Sequence, residues 1–242
     1  IYGSSAAGMW GDGNQQAFNT GKSTVKPERT WTYVVGYRYN SQYIGASADF
    51  YHVDYYNRAV ASVLPGSGVN EAVSYYTSVG KAAMNGADFS ATVRPVSGLS
   101  IYNMFSLADG KYESGMSYDN AYYNLKGKHQ VAYPKYMYKA GLNYQYKNLR
   151  LNFNVNYIAK RPISYMNDAY APAYWLANTG ISYSLGELGF MKKLVFNFNV
   201  NNLFNRTYVS STGVFGYSMS GDSPTLFVGA PREFFGTVPA QF

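Results

Sequence analysis

Apolar side chains recur at every second position along much of this chain, and the positions between them are rich in amides. From Leu149 to Tyr157 the odd residues are Leu149, Leu151, Phe153, Val155 and Tyr157, and the even ones are Arg150, Asn152, Asn154 and Asn156. Residues 194–201 repeat this with Leu194, Phe196, Phe198 and Val200 against Asn197, Asn199 and Asn201, and residues 136–147 set six apolar positions against Met137, Lys139, Gly141, Asn143, Gln145 and Lys147. A period of two is the signature of a β-strand with unlike faces, since a helix would spread each set around its circumference. Weaker alternation marks 30–40, 43–56, 73–95, 98–108, 173–185 and 231–242, giving nine strands, with residues 1–10 as the tail of a tenth. Two blemishes stand out: Asn103 falls in the apolar phase of its strand, and the phase of 43–56 changes near His52.

The connections alternate in length. Residues 40–41, 95–98, 147–148 and 186–192 are short links, whereas 11–28, 57–72, 109–132, 161–171 and 206–230 are long. Antiparallel neighbours joined this way gather all short turns at one end and all long loops at the other, the form of a transmembrane β-barrel rather than of a Greek-key sandwich. Ten residues at about 3.3 Å each, tilted by about 45°, cover the ~25 Å apolar band of such a barrel, and the run 73–95 projects beyond it. The expected fold is therefore all-β, a transmembrane antiparallel barrel whose oily set faces acyl chains and whose polar set faces a wet lumen. Trp31, Tyr39, Tyr136, Tyr146 and Trp175, near strand ends, suit the headgroup level.

Composition agrees. Of 242 residues only 14% are charged, while 18% are aromatic, including 27 Tyr; an average soluble domain carries roughly 25% charge. No apolar run approaches the ~18 residues of a spanning helix. The net charge of +7 (20 Lys and Arg against 13 Asp and Glu) is scattered singly, which gives no footprint for nucleic acid. With no Cys and only His52 and His129, there is no disulfide framework, no cofactor motif and no ligand set at metal spacing. Ile1 carries no targeting segment, so any leader is expected to be removed or to lie upstream.

Five stretches in order resemble the carboxyl-terminal part of a TonB-dependent outer-membrane receptor barrel: VKPERTWTYVVGYRYN (25–40), IGASADFYHVDYYNRAV (44–60), YTSVGKAAMNGADFSATVRPVSGLSIYNMFSLADG (76–110), VNNLFNRTY (200–208) and PREFFGTVPAQF (231–242). Val34 or Val35 and Asp88 stand where the family's pattern has Glu. The resemblance implies nine or ten strands of a barrel of about 22, with a plug, its energy-coupling box and the remaining wall supplied by sequence upstream of Ile1 or by another segment. It also implies a bacterial outer-membrane location among lipids that include lipopolysaccharide. The TonB complex, acting through the plug, is the implied energy partner, and terminal Phe242 is an implied signal to the barrel-assembly machinery.

Candidate residues follow from phase and position. Arg38, Asp88, Arg94, Lys139, Asn143, Arg150, Asn152, Asn154, Asn156, Asn197 and Asn199 are in the polar phase and suit a plug surface or a substrate path. Trp10, Tyr165, Tyr170, Tyr208 and Phe215 fall in long connections, where flat rings suit an external ligand. Tyr122, Tyr123, Lys126, Lys128 and His129 form a basic aromatic patch for an anionic ligand or lipopolysaccharide phosphates, and solvated loop residues read the same way. Asp49, His52 and Asp54 invite a protease reading, but Asp49 and His52 lie three apart and face opposite sides of a strand. The glycine-rich GDG (11–13) and PGSG (65–68) read as turns, and Asn205-Arg206-Thr207 matches a glycosylation acceptor of little meaning in such a membrane. The leading expectation is active import of a ferric siderophore, a corrinoid or an oligosaccharide, without covalent catalysis. A self-contained ten-stranded barrel enzyme and a passive pore are the alternatives.

Overall fold

A computed structural model describes Asn19 and residues 26–63, 74–118, 121–186, 192–213, 216–221 and 226–241, with the backbone alone at 61–63, 74–77 and 118. Trp10, Phe215, Phe242, the two glycine-rich turns and the strand expected before residue 11 lie outside them. In chain order, β1 (Arg29–Asn40) and β2 (Ile44–Tyr56) form the first wall hairpin. The chain then leaves the wall as β3 (Ala59–Val63) and β4 (Ser74–Ser78), and returns as β5 (Lys81–Val93) and β6 (Leu99–Tyr112). A second excursion, β7 (Met116–Tyr118) and β8 (Ala121–Tyr123), precedes β9 (Tyr136–Tyr146) and β10 (Leu149–Ile158). A third, β11 (Arg161–Pro162) and β12 (Tyr170–Ala171), precedes β13 (Tyr174–Leu185) and β14 (Lys193–Asn201). The fourth is β15 (Val209–Thr212) with β16 (Leu226–Val228), before β17 (Glu233–Thr237) and β18 (Ala240–Gln241).

All nine expected strands are present in one antiparallel sheet of order β1-β2-β5-β6-β9-β10-β13-β14-β17, with β18 continuing the last position against β14. Short turns and long excursions alternate as the sequence implies. The sheet is open: among the described residues β1 pairs only with β2, and β17 only with β14. Pro239 interrupts the last position, where its missing donor costs little, and its carbonyl still accepts from Val195 at 3.0 Å.

Three expectations need correction. The run 73–95 is not one strand: Gly80 at φ 69° and Asn57 at φ 54° bend the two chains at one level, so β3 and β4 leave the wall as a separate hairpin. At Gly80 a Cβ would also stand 2.6 Å from Ser114 Oγ, so both conformation and space require glycine. β6 runs to Tyr112 rather than ending at 108, because residues 128–130 take over its pairing where β9 begins: Tyr112 donates to Lys128 at 2.9 Å and Gln130 to Gly110 at 2.9 Å. The phase of β2 does not change at His52 either. Its register with β5 runs unbroken from Ile44↔Val93 to Tyr56↔Lys81, so the face persists and only its chemistry changes.

One row of paired residues shows the stagger. Ile44, Val93, Ile101, Leu142, Phe153, Thr179, Val200 and Phe234 are successive partners across the sheet. The row starts beside the short turn of β2 and ends beside the long loop after β14. Such a drift is what inclines strands to a barrel axis. The apolar face stays bare, with Tyr37 71%, Val35 69%, Phe198 47% and Phe153 39% exposed. Asn103, the intruder on that face, is satisfied by the Tyr138 hydroxyl at 2.6 Å.

The hydrophobic core is at the long-loop end. Val79, Ala82, Tyr112, Met116, Leu125, Val131, Tyr165 and Met219 form one buried cluster drawn from all four excursions and the strand ends beneath them. The wall therefore holds its shape by its hydrogen-bond ladder, and the loops hold theirs by ordinary burial.

Candidate functional site

Strand register gathers the polar-phase candidates on one face. Asn143 pairs with Asn152, Asn152 with Gly180, and Gly180 with Asn199, so these four positions form one row. Glycine suits the third position because a Cβ there would stand 2.3 Å from Asn199 Oδ1 and 2.6 Å from Asn152 Nδ2. The next row carries Arg150 and Asn197 through Ser182. Asn178 donates to Asn154 at 2.9 Å, Asn156 donates to Asn154 at 3.4 Å, and Asn197 donates to Thr237 at 3.1 Å. On the other flank Asp49 sits opposite Asp88, Ser47 and Ser90 share a 2.9 Å hydrogen bond, and Arg38 approaches Asp49 at 3.9 Å. Lys139 pairs in register with Asn156, and Arg94 with Asn143 and Arg150 lines a cavity of mixed character, about 1050 Å³, at the short-turn end. Amides that accept and donate along a strand face can exchange partners with a polar surface sliding past, which apolar side chains cannot do.

Loop candidates divide. Tyr122 (69% exposed) and Tyr170 (40%) remain open, while Tyr208 packs tilted against Tyr174 with centroids 4.7 Å apart. Tyr165 does not present a ring to an external ligand: it is 0% exposed, and its centroid lies 6.1 Å from Tyr112 and 6.4 Å from Tyr217. The basic patch is also divided, because His129 turns to Asp109 at 3.2 Å while Lys126 stays exposed and Tyr123 packs against the buried cluster. His52 bonds Asn85 at 2.8 Å and meets Asp54 at 3.4 Å on the apolar-face side, whereas Asp49 is on the opposite face, so no triad forms.

Three residues that sequence reasoning passed over carry the loop architecture. Asn202, in the stretch VNNLFNRTY, is 5% exposed; its Nδ2 donates to the carbonyls of Arg206 (2.8 Å) and Ala230 (3.0 Å), and its Oδ1 accepts from the Arg206 amide (2.7 Å). That side chain pins both ends of the fourth excursion. Asn202→Ala is expected to cost about 2–4 kcal/mol, since three partners lose their bonds in a site closed to water. Urea titration of the wild-type and variant proteins measures this.

Asp168 clasps the third excursion to the fourth, accepting from Ser164 at 2.5 Å, from Ser220, and from the Gly221 amide at 3.1 Å. The Ser164 and Ser220 hydrogen bonds hold its carboxyl at about 2, below the ordinary 3.8. Because the folded value is the lower one, the clasp contributes fully above pH ~4 and is lost as pH falls through about 2. Spin labels at Tyr170 and Thr212 are expected to give one narrow distance at pH 6 and a broadened distribution near pH 2, with Asp168→Asn broadened at both. Arg161 is the third: it is 6% exposed, one nitrogen donates to the Val209 carbonyl at 3.0 Å, and its Nη1 is buried without a hydrogen-bond partner.

A sheet with one bare apolar face, one amide face and sorted loops can be placed by comparison. The family model described as TonB dependent receptor-like, beta-barrel matches residues 1–203. The chain belongs to this family. Its members are outer-membrane transport receptors rather than enzymes. No curated protein matches. Among solved structures, the siderophore receptor PiuA from Acinetobacter baumannii is similar with a TM-score of 0.68 at 16% identity, over 95% of this chain and 31% of that one. BauA, the ferric preacinetobactin receptor from the same organism, gives 0.67 at 20%, over 89% and 30%. FyuA, the ferric yersiniabactin uptake receptor from Yersinia pestis, gives 0.64 at 18%, over 89% and 30%. These likenesses establish the fold. The chain spans under a third of each receptor's length, so the barrel is only partly present in it.

Proposed function

We propose that this chain is the carboxyl-terminal portion of the wall of an outer-membrane importer that takes up a ferric chelate, with the TonB complex driving passage through a plug. The amide face carries the reading: Asn143, Asn152, Asn154 and Asn199 line one side of the wall with groups able to hydrogen-bond a plug and then release it. Ferric chelate receptors among the structural neighbours support the cargo class. The exposed edges of β1 and β17 are the places where the remaining wall pairs.

The test uses the intact receptor in living cells, fed ⁵⁵Fe on catecholate, hydroxamate and mixed-ligand chelates. Uptake of one class is expected, and it should stop when the inner-membrane potential is collapsed. Uptake that persists without the potential, or steady ionic conductance in a planar bilayer, would identify a passive pore instead.

A further inference from the structure

Where the ladder between β6 and β9 gives way to the end of the second excursion, beside the third, a cavity of about 550 Å³ opens at the long-loop end, its walls including Tyr136, Tyr157, Tyr170, Lys135 and Lys160. Tyr136 and Tyr157 belong to the lipid-facing phase, and they sit at the top of the apolar band. Phe105 stacks on Tyr136 with centroids 6.2 Å apart, and Trp175 lies 4.8 Å from Tyr157. On the neighbouring strands the same face turns polar one row higher, at His52, Asn85 and Asp109. The cavity therefore stands at the boundary between acyl chains and water.

Its charge is mainly positive. His129 also lines it but is held by Asp109 at 3.2 Å, which takes Lys111 at 3.3 Å as well, and outside the cavity Lys81 meets Glu113 at 2.9 Å. Among the described residues Lys135 and Lys160 have no such partner. Their ammonium groups lie over the rings of Tyr136 (5.7 Å) and Tyr170 (4.9 Å), which orients them without neutralising them. A site with two unopposed cations above and aromatic walls below matches an anion attached to an oily body.

We propose that this cavity clasps a phosphorylated lipid of the outer leaflet, its phosphate between Lys135 and Lys160 and an acyl chain against Tyr136 and Tyr157. The lipid serves as a fixed brace at the base of the third excursion. This rests on the wall lying in the outer membrane and is independent of the cargo, so cellular uptake and lipid retention report on separate questions.

The experiment is native mass spectrometry of the full-length receptor in non-ionic detergent, titrated with lipid A carrying both phosphates, with its dephosphorylated form, and with inorganic phosphate as competitor. The wild type is expected to retain the phosphorylated lipid, the Lys135→Ala/Lys160→Ala double variant to bind it roughly tenfold more weakly or worse, and the Lys135→Arg/Lys160→Arg variant to bind it normally. Lys192→Ala/Lys193→Ala, where the short loop leads into β14 at the opposite end of the wall, is expected to leave retention unchanged. Equal retention by the double alanine variant overturns the proposal. So does an equal loss in the loop control, equal affinity for the dephosphorylated lipid, or displacement by millimolar inorganic phosphate. Heat-dependent gel migration reports separately whether each variant is folded.

Discussion

Phe153→Arg is expected to destabilise the receptor by about 2–4 kcal/mol, the cost of a charge on the lipid face near mid-membrane. Phe153 lies in the middle of β10, 39% exposed, in the row that joins Leu142 to Thr179. An arginine there either draws water into hydrocarbon or bends its stem toward a headgroup, and both cost free energy. Asn143→Arg is the matched control: it sits one strand away on the opposite face, beside the cavity at the short-turn end. Its effect is expected to stay within about 0.5 kcal/mol, as for a wetted surface position. Urea unfolding of both variants in lipid vesicles gives the comparison. Equal costs at the two sites would mean that the bare face does not meet acyl chains.

The features legible in the sequence were those that the backbone repeats. A pleated strand forces alternate residues to opposite faces, so Leu149–Tyr157 and Leu194–Asn201 announce their strands and faces without reference to any other part of the chain. Chain bends were harder. Asn57 and Gly80 break the wall at one level because each takes a positive φ; the run 43–56 ends before Asn57, but the alternation of 73–95 continues past Gly80, and nothing local distinguishes that hinge from an ordinary strand. The apparent phase change at His52 arises from reading chemistry as geometry, for the face is continuous and only its side chains turn polar there.

The loop cluster left no periodic trace at all. Val79, Tyr112, Leu125, Tyr165 and Met219 come from segments up to 140 positions apart, and all but Tyr165, which Met166 follows, stand between polar residues or glycine. Tyr165 thus looked like a ring available to a ligand, and Lys135 and Lys160 looked like two scattered charges. The asparagine of VNNLFNRTY is visible as a motif, and two of its hydrogen bonds are local, to Arg206, but the third, to Ala230, depends on a return of the chain 28 residues later. Contacts of that kind are set by the assembled wall, which brings the loop ends together before the side chains choose partners.

Tyr165→Ala should therefore separate the two halves of the molecule energetically. The ring is wholly buried, between Tyr112 from the end of β6 and Tyr217 from the fourth excursion. Truncating a buried aromatic costs about 3–5 kcal/mol, because its contacts are lost and the cavity closes only in part. Here the loss falls on the docking of the loops, and the wall ladder keeps every hydrogen bond. Limited proteolysis should register it: cleavage within the third and fourth excursions is expected to rise by roughly a hundredfold or more, in proportion to the population of opened loops. Heat-dependent gel migration, which follows the wall, should not change. Tyr165→Phe keeps the ring and should raise cleavage by no more than about tenfold, the equivalent of roughly 1 kcal/mol for a hydroxyl's contacts. Loops as resistant in Tyr165→Ala as in the wild type would mean that the Asp168 clasp and the Asn202 pin hold them unaided, and the buried cluster would then be a consequence of loop closure rather than its cause.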